Sequence, residues 1–480
     1  MEKKIKIILS IILLLCNISI FAQPYPTGGV IDPTLYDSIP RRAVQLSRSY
    51  SDIPSVYSVK HYGPQPYNQN GGTCTAWASA YAARTITESI TIDRRDWFLT
   101  TRSAFSPYYI FRSVRHLMYK DLDPTGEDGI AISYALDFMK SEGAVRILNN
   151  EVNMLMRQIN VSMYSQQKRY PIADYVTLYQ SYLKTEDGDP VRTKMVKKSI
   201  SEGKPVIIAI KCPPSFHEVG RDGVWYPKET SAFIDLSIKG NAHALCVVGY
   251  DDNRYGGAFE IQNSWGTGWA NGGFVWIPYT VFNQFAYEAY EIIENLANYE
   301  TIEYSGSVKI EVYNSKEGMP VRFNNGYYQT NSSYSSGASF RYILSNGKPA
   351  YVYAFSGDSG SNNTNRIFPP EKENISPILD YSENIVAFPG EFTWIQLDER
   401  IGTDYLVVLF AKEALDIDNI RKRFESASGS FPARVSAAVG SNLIPVSKAK
   451  YEANEMRFSA QSANPKAILG LLLAIDHRAR

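Results

Sequence analysis

Cysteine is scarce in this chain: there are four in 480 residues. One of them, Cys16, falls in the first apolar run. The other three, Cys74, Cys212 and Cys246, are too few and too odd in number for a disulfide scaffold, so at least one thiol stays unpaired unless it bonds another chain. An excess of charge of one sign is also missing. Lys+Arg and Asp+Glu are both 49 and the formal net charge is zero, which leaves no electrostatic footprint for nucleic acid or anionic lipid. Histidine is limited to five residues. None stands in ligand spacing, so neither a metal nor another cofactor is expected. No stretch reaches the roughly 20 apolar residues of a membrane crossing; Leu469 to Ala474 has only the length of a strand. Internal repeats are absent. What is present is a globular composition, 44% hydrophobic and 20% charged, with length for two to four domains at about 100–200 residues each.

The chain opens Met-Glu-Lys-Lys-Ile-Lys, and Ile7 to Cys16 is almost wholly apolar before Asn17 and Ser19 interrupt it. A basic start, a short apolar run and a small residue at Ala22 form the pattern of a secretory signal peptide over residues 1–22. The expected location is therefore secreted or periplasmic, without stable membrane insertion. Leu15 before Cys16 argues against a lipid anchor, because lipoprotein signals place a small residue there.

Residues 23–51 are rich in Pro, Ser, Arg and Tyr without sustained periodicity and read as an N-terminal arm. Helical spacing then runs from Cys74 to about Ser89. Ser106-Pro107 predicts a second helix by its cap and first-turn proline. Asp128 to Gly143 predicts a third. Asp189-Pro190 begins a fourth, ending at Gly203. The period then changes: Pro205–Cys212, His243–Tyr250, Ala258–Gln262 and Gly273–Ile277 read as strands. Helices first and strands second predict an α+β domain over residues 52–297. From 304 to 480, short β runs (Ser307–Tyr313, Tyr342–Leu344, Ala350–Phe355, Phe392–Leu397, Tyr405–Phe410) and one helix near Asp416–Glu425 predict a second, mostly β domain.

Cys74 lies where a glycine-rich turn, Asn70-Gly71-Gly72-Thr73, runs into a helix. A helix N-terminus favours thiolate over thiol. A free thiol titrates at about 8.5, and one paired with histidine at such a terminus falls to about 3–4. His243 begins a strand in Asn-Ala-His243-Ala-Leu-Cys-Val-Val-Gly-Tyr. Asn263 ends the next in Asn263-Ser-Trp-Gly-Thr-Gly-Trp, where a side-chain amide can orient an imidazole as a carboxylate does in Ser-His-Asp systems. Cys246, three residues along the strand from His243, points to the opposite face. A Cys212–Cys246 disulfide is one pairing open to neighbouring strands; two inert thiols are the default.

Gln69-x4-Cys74, the His243 strand and the Asn263 motif, in that order, resemble the papain-like cysteine peptidases, bacterial branch. Phe105-Ser-Pro-Tyr-Tyr and Gly126-Glu-Asp-Gly129 are similar to further family segments. The resemblance spans about residues 52–297 and implies a two-lobed fold, a helical lobe and an antiparallel β lobe, acting on peptide or protein substrates. It implies Cys74 as nucleophile, His243 as base and then acid, Asn263 as its orienting group and Trp265 as a shield over that pair. It also implies Gln69 with the Cys74 N–H as oxyanion donors. Asp128, Gly129, Ile130 and Ala244 fall at the substrate cleft, with Ala244, Ile130 and Ala131 lining an apolar pocket for the second residue before the cut. The chain departs from the family pattern at several points: Gly71 stands where the family has a disulfide cysteine, and only about 50 residues lie between the leader and Cys74, too few for the long helical propeptide of the eukaryotic members. Gln69 stands five rather than six positions before Cys74, which leaves Asn68 as the alternative donor, and Thr75 replaces the usual tryptophan. The implied activity is that of a secreted cysteine protease using a thiolate–imidazolium pair. The alternatives are a catalytically silent papain-fold adhesion protein, or an exopeptidase or transpeptidase whose cleft the arm blocks at one end. The second domain more weakly resembles a bacterial C-terminal module of unassigned function, through Tyr351-Val-Tyr-Ala-Phe-Ser-Gly-Asp, Arg366-Ile-Phe-Pro-Pro and Gly402-Thr-Asp-Tyr-Leu-Val-Val-Leu-Phe. It reads as a binding or positioning domain for an unknown surface or protein partner.

Overall fold

The computed structural model describes residues 25–480 except 37, 121, 122, 124, 181–189, 295–301, 316, 317 and 382. The leader therefore lies outside the described residues. The helical half begins with α1, which runs through Cys74–Ala76, a π-helical stretch Trp77–Arg84, and Thr85–Thr91. Five alanines in its first ten residues are buried, and such small side chains let the helix thread the middle of the domain. Helix α2 (Trp97–Arg102) was not expected. It is capped by the Asp96 carboxylate, which accepts from the N–H groups of Phe98 and Leu99. Helix α3 (Pro107–Val114) starts as its sequence dictates, with Ser106 Oγ accepting from Tyr109 N–H and proline in the first turn. Helix α4 (Ile132–Ser141) begins four residues later than the expected Asp128. Gly129 takes a φ of +72°, outside the right-handed helical range, so the helix cannot start before it, and Ala131 is still extended. Helix α5 (Pro190–Ser201) lies on the other side of the sheet, where its Val196 and Ile200 join the core of the β half.

The β half is an antiparallel sheet of β1 (Val56–Ser58), β2 (Asp174–Gln180), β3 (Val206–Lys211), β4 (Ala242–Asp251), β5 (Ala258–Gln262), β6 (Phe274–Pro278) and β7 (Ala286–Ile293). The order is β2-β7-β3-β4-β5-β6, with β1 on β4. Alternation along β3 splits two cores. Ile207 and Ala209 join the helices, whereas Ile208 and Ile210 join Trp225, Phe259 and Phe282. A two-lobed α+β body results, with a seam where α1 meets β4. Cys246 lies in the first core and Cys212 in the second. They face opposite sides of the sheet, and all three described cysteines are free and buried.

The C-terminal part opens with strand Ile302–Val312 and forms a sandwich of an eight-stranded and a six-stranded sheet. Helices Ile417–Ser426 and Phe431–Val439 cover the outer face of the larger sheet. Of the expected strand Phe392–Leu397, only Ile395–Gln396 pairs. The sandwich is not loosely tethered. Val176 of β2 and Ile293 of β7 share a core with its Tyr351, Tyr353 and Ile378. Arm residues 40–42 bridge the two bodies: Arg42 N–H donates to Thr177 O, Thr177 N–H to Pro40 O, Arg41 N–H to Asn374 O and Ser376 N–H to Arg41 O. Beneath them the buried Arg42 guanidinium pairs with Glu291 of β7 at 2.5 Å and Asp380 of the sandwich at 2.7 Å, and Lys204 pairs with Asp380.

Candidate active site

Cys74 is the first residue of α1, delivered by the turn at Gly71, whose φ is +63°. Its sulfur accepts from Ala244 N–H at 3.5 Å. Because Ala244 directly follows His243, the helix start and the strand start meet. His243 Nε2 lies 2.8 Å from Asn263 Oδ1, and the buried Nδ1 has no hydrogen-bond partner among the described residues. Trp265 stacks on the imidazole, with ring centroids 4.6 Å apart, and so covers the His243–Asn263 pair. Cys74, His243, Asn263, Trp265 and Ala244 thus converge on one point of the seam.

Gln69 joins them from the loop before α1. Its Oε1 accepts from Ser264 Oγ at 2.6 Å, its backbone N–H donates to Ser264 O, and its Nε2 donates to Gly71 O. Asn68 is spent elsewhere: its amide fills the space beside Gly266, where an added Cβ would lie 2.6 Å from Asn68 Oδ1. Of the two candidate donors, the structure leaves Gln69 facing the cysteine turn. Gly129 and Ile130 line the opposite wall, and Ile130 is fully buried. Asp128 is on the rim, exposed, with its carboxylate 3.0 Å from Lys239 of the β half.

What the sequence did not reveal is the occupant of the seam. Arm residues 25–29 run through it. Tyr25 stacks on Trp265 at 4.9 Å, Pro26 O accepts from Trp265 Nε1 at 2.9 Å, and Thr27 Oγ1 donates to Gly240 O. Gly29 N–H donates to Ala242 O at 3.1 Å and pairs in parallel with Ile130. Gly28 is wedged between two backbones. A Cβ on it would lie 2.0 Å from Gly72 O, and one on Gly129 would lie 2.0 Å from Gly28 O. The alternative with an arm blocking one end of the cleft differs from this arrangement, in which the arm crosses the centre. The adjacent glycines in an otherwise proline- and tyrosine-rich arm were the available signal.

This occupancy decides the electrostatics. Burial pushes the Cys74 thiol up, against the N–H groups of Ala244, Gly28 and Thr75 that favour the thiolate. Burial pulls His243 down to about 3, against the Asn263 hydrogen bond. Both shifts favour the neutral forms, so the expected thiolate–imidazolium pair does not describe the closed seam.

A second cluster has triad residue types but no triad use. In the sandwich, Ser336 Oγ lies 3.0 Å from His477 Nε2, and His477 Nδ1 lies 2.9 Å from Asp404 Oδ2. The nearby amides are committed: Ser336 N–H to Arg478 O, Gly337 N–H to Leu397 O and Ala338 N–H to Ser335 O. None of these three amides is free for an oxyanion, and the cluster ties the last strand to its neighbours. Among the described residues no group of three or more His, Cys, Asp or Glu could hold a metal ion, and no helix is long and apolar enough to cross a membrane.

With this geometry in place, residues 121–295 match the profile of the family described as papain family cysteine protease. The matched stretch contains His243 and Asn263. That region is papain-like. A cathepsin L-like protein of Caenorhabditis elegans is 29% identical over 97 residues, 20% of this chain and 26% of that protein; the chain thus spans about a quarter of the curated relative it matches. Xylellain, a cysteine protease from Xylella fastidiosa, is similar with a TM-score of 0.41 and 19% identity over 56% of this chain and 96% of that one. A Carica candamarcensis cysteine protease in complex with E-64 gives 0.37 and 19% over 51% and 100%. The matched stretch starts after Cys74.

Proposed function

We propose that the chain is an exported cysteine endopeptidase, held closed by its own arm. The observation that carries this is the buried His243 ring. Asn263 fixes one nitrogen, and the other is left without a partner beside the strand residue that touches Cys74. An idle buried imidazole nitrogen is costly in a purely structural site; it is what a general base requires. Once water or substrate enters, the penalty on charge falls and the Cys74 proton passes to His243 Nδ1. The thiolate adds to a peptide carbonyl, and the oxyanion is met by the Cys74 N–H and Gln69. His243 returns its proton to the leaving amine, leaving a thioester. Water, deprotonated by His243, then cleaves the thioester and restores the thiol.

The arm is not a substrate in waiting. The leaving amine has to depart beside His243, so a substrate places its C-terminal part on the Trp265 side. The arm places its N-terminal part there, at Tyr25 and Pro26, and runs in reverse. Because it fills the centre of the seam, its departure opens both ends, which favours an endopeptidase over an exopeptidase. The leader at residues 1–22 accounts for export, and its removal leaves the arm near the new N-terminus.

Full-length chain carrying Gly28→Phe tests the reading, since no side chain fits between Gly72 and Gly129. Crowding of about 1–3 kcal/mol should raise labelling of Cys74 by an epoxysuccinyl thiol reagent about 10–100-fold and release peptide cleavage. Adding Cys74→Ala should lower turnover by about 10⁶-fold, the loss typical when a nucleophile is removed. Cleavage that survives Cys74→Ala would refute the assignment.

A further inference from the structure

Thr75 carries a buried hydroxyl that the mechanism does not use. It directly follows the nucleophile, at the position where the family pattern has tryptophan. Threonine is a poorer helix former than alanine, so the first turn of α1 gains nothing from it. A hydroxyl in the interior also needs a partner, because one left unpaired is costly. Thr75 Oγ1 finds it in the opposite wall of the seam, donating to Ile130 O at 2.9 Å. Ile130 is the wall residue that pairs with Gly29 of the arm.

The same hydroxyl lies against the sulfur. Cys74 is met by the N–H groups of Ala244 on β4, Gly28 on the arm and Thr75 itself, and by the Thr75 side chain. A hydroxyl has one proton to give, and here two acceptors compete for it, the carbonyl of Ile130 and the sulfur of Cys74. In the closed seam Gly28 N–H serves the sulfur and the hydroxyl serves the carbonyl. When the arm leaves, Gly28 N–H leaves with it, and the thiolate that forms is short of a donor. A hydrogen bond to an ionised acceptor is about twice as strong as one between neutral groups, so the balance tips toward the sulfur. Rotation of the hydroxyl proton suffices, and no backbone has to move.

We propose that Thr75 is a positioning residue for the nucleophile: its hydroxyl ties the wall at Ile130 O while the arm is in place, and turns to the Cys74 sulfur once the arm has left, replacing Gly28 N–H. The inference rests on the peptidase reading above and adds to it a donor that is recruited when the seam opens. The titratable neighbours of the sulfur are His243, next to Ala244 on β4, Cys212 after β3 and Tyr287 on β7. All three stay unchanged in the test.

The test follows alkylation of Cys74 by iodoacetamide against pH, read at that residue by mass spectrometry, in full-length chain with Gly28→Phe. Thr75→Val keeps the bulk and removes the hydroxyl; Thr75→Ser keeps the hydroxyl. The acid limb of the profile should move up by about one pH unit in Thr75→Val, a roughly tenfold loss of thiolate at any pH below the limb, and should return to the parent position in Thr75→Ser. Thr75→Ala, which cannot crowd the turn, should match the valine variant and guards against a folding fault. A hydroxyl that only ties the wall would raise KM or lower Tm in Thr75→Val and leave the limb in place, and that result overturns the inference. Alkylation needs no turnover, which separates the two claims. A shifted limb in a chain that cleaves no peptide keeps Thr75 and sinks the peptidase reading. Peptide cleavage with an unshifted limb does the reverse, and neither shift nor cleavage sinks both.

Discussion

The two halves of the arm are held by different physics. Residues 25–29 cross the seam without any charged side chain, through the Gly29–Ala242, Thr27–Gly240 and Trp265–Pro26 hydrogen bonds and a fit that only glycine permits at position 28. Residues 41–47 are locked. Arg42 is buried between Glu291 and Asp380, and Gln45 Nε2 donates to Asn384 Oδ1. Leu46 N–H donates to Ile385 O, and Ser47 donates to Glu391. Neutral hydrogen bonds contribute about 0.5–1.5 kcal/mol each and exchange readily with water. A buried ion cluster stripped of its cation costs several times that. One continuous segment is therefore an exchangeable plug at its front and a permanent strap between domains at its rear. Processing that removes the front need not release the sandwich.

The largest expected effect is at the rear. Arg42→Ala leaves Glu291 and Asp380 facing each other in the interior with only Lys204 near, at 4.0 Å from Glu291. The expected cost is about 3–5 kcal/mol, read as a lowered Tm with the sandwich becoming susceptible to proteolysis. If labelling of Cys74 rises as much as the stability falls, the halves are not independent and the contrast fails. The front-half change, Gly28→Phe, should do the opposite: faster labelling with little loss in Tm.

Much of the candidate constellation could be read from the sequence because its signals are local. A glycine turn entering a helix marks Cys74, and strand-end motifs mark His243 and Asn263; the structure brings all three to the same seam. The helix cap at Ser106 was likewise written in adjacent residues. What escaped is made of long-range pairs. Arg42 finds Glu291 and Asp380 across 249 and 338 positions, and nothing near Arg42 in sequence distinguishes it from an exposed arginine. Strand β7 escaped because Glu288 and Glu291 interrupt its apolar pattern; Glu291 is held by Arg42, Ser199 and Tyr381, and Glu288 by Tyr36 and Tyr290. The start of α4 was misplaced because a helical period in the side chains says nothing of the positive φ at Gly129. The plug escaped because extended backbone in a cleft needs no periodicity at all.

Acidity separates the forces on the plug. His243 is depressed from 6.5 to about 3 in the closed seam. Its contribution to closure is complete above about 6.5 and is lost as pH falls toward 3. Hydrogen exchange at Gly28 and Gly29 should therefore quicken as pH falls from about 6.5 toward 3, and His243→Gln should remove that dependence; a profile unchanged by the variant would place the control of closure elsewhere.

The smallest effect should come from the rim. Lys239 and Asp128 join the two lobes at 3.0 Å near the Thr27–Gly240 contact, and both side chains are more than half exposed. Position alone makes the pair look like a latch. Exposure argues otherwise, because water screens the attraction and two long side chains lose freedom in forming it, leaving about 0.2–1 kcal/mol. Lys239→Ala should therefore speed Cys74 labelling no more than about fivefold, and the difference should vanish near 1 M salt, where the Debye length shrinks to about 3 Å. A larger or salt-insensitive change would mean that the front of the arm, like the rear, is held by charge, and the division between plug and strap would have to be redrawn at Gly29.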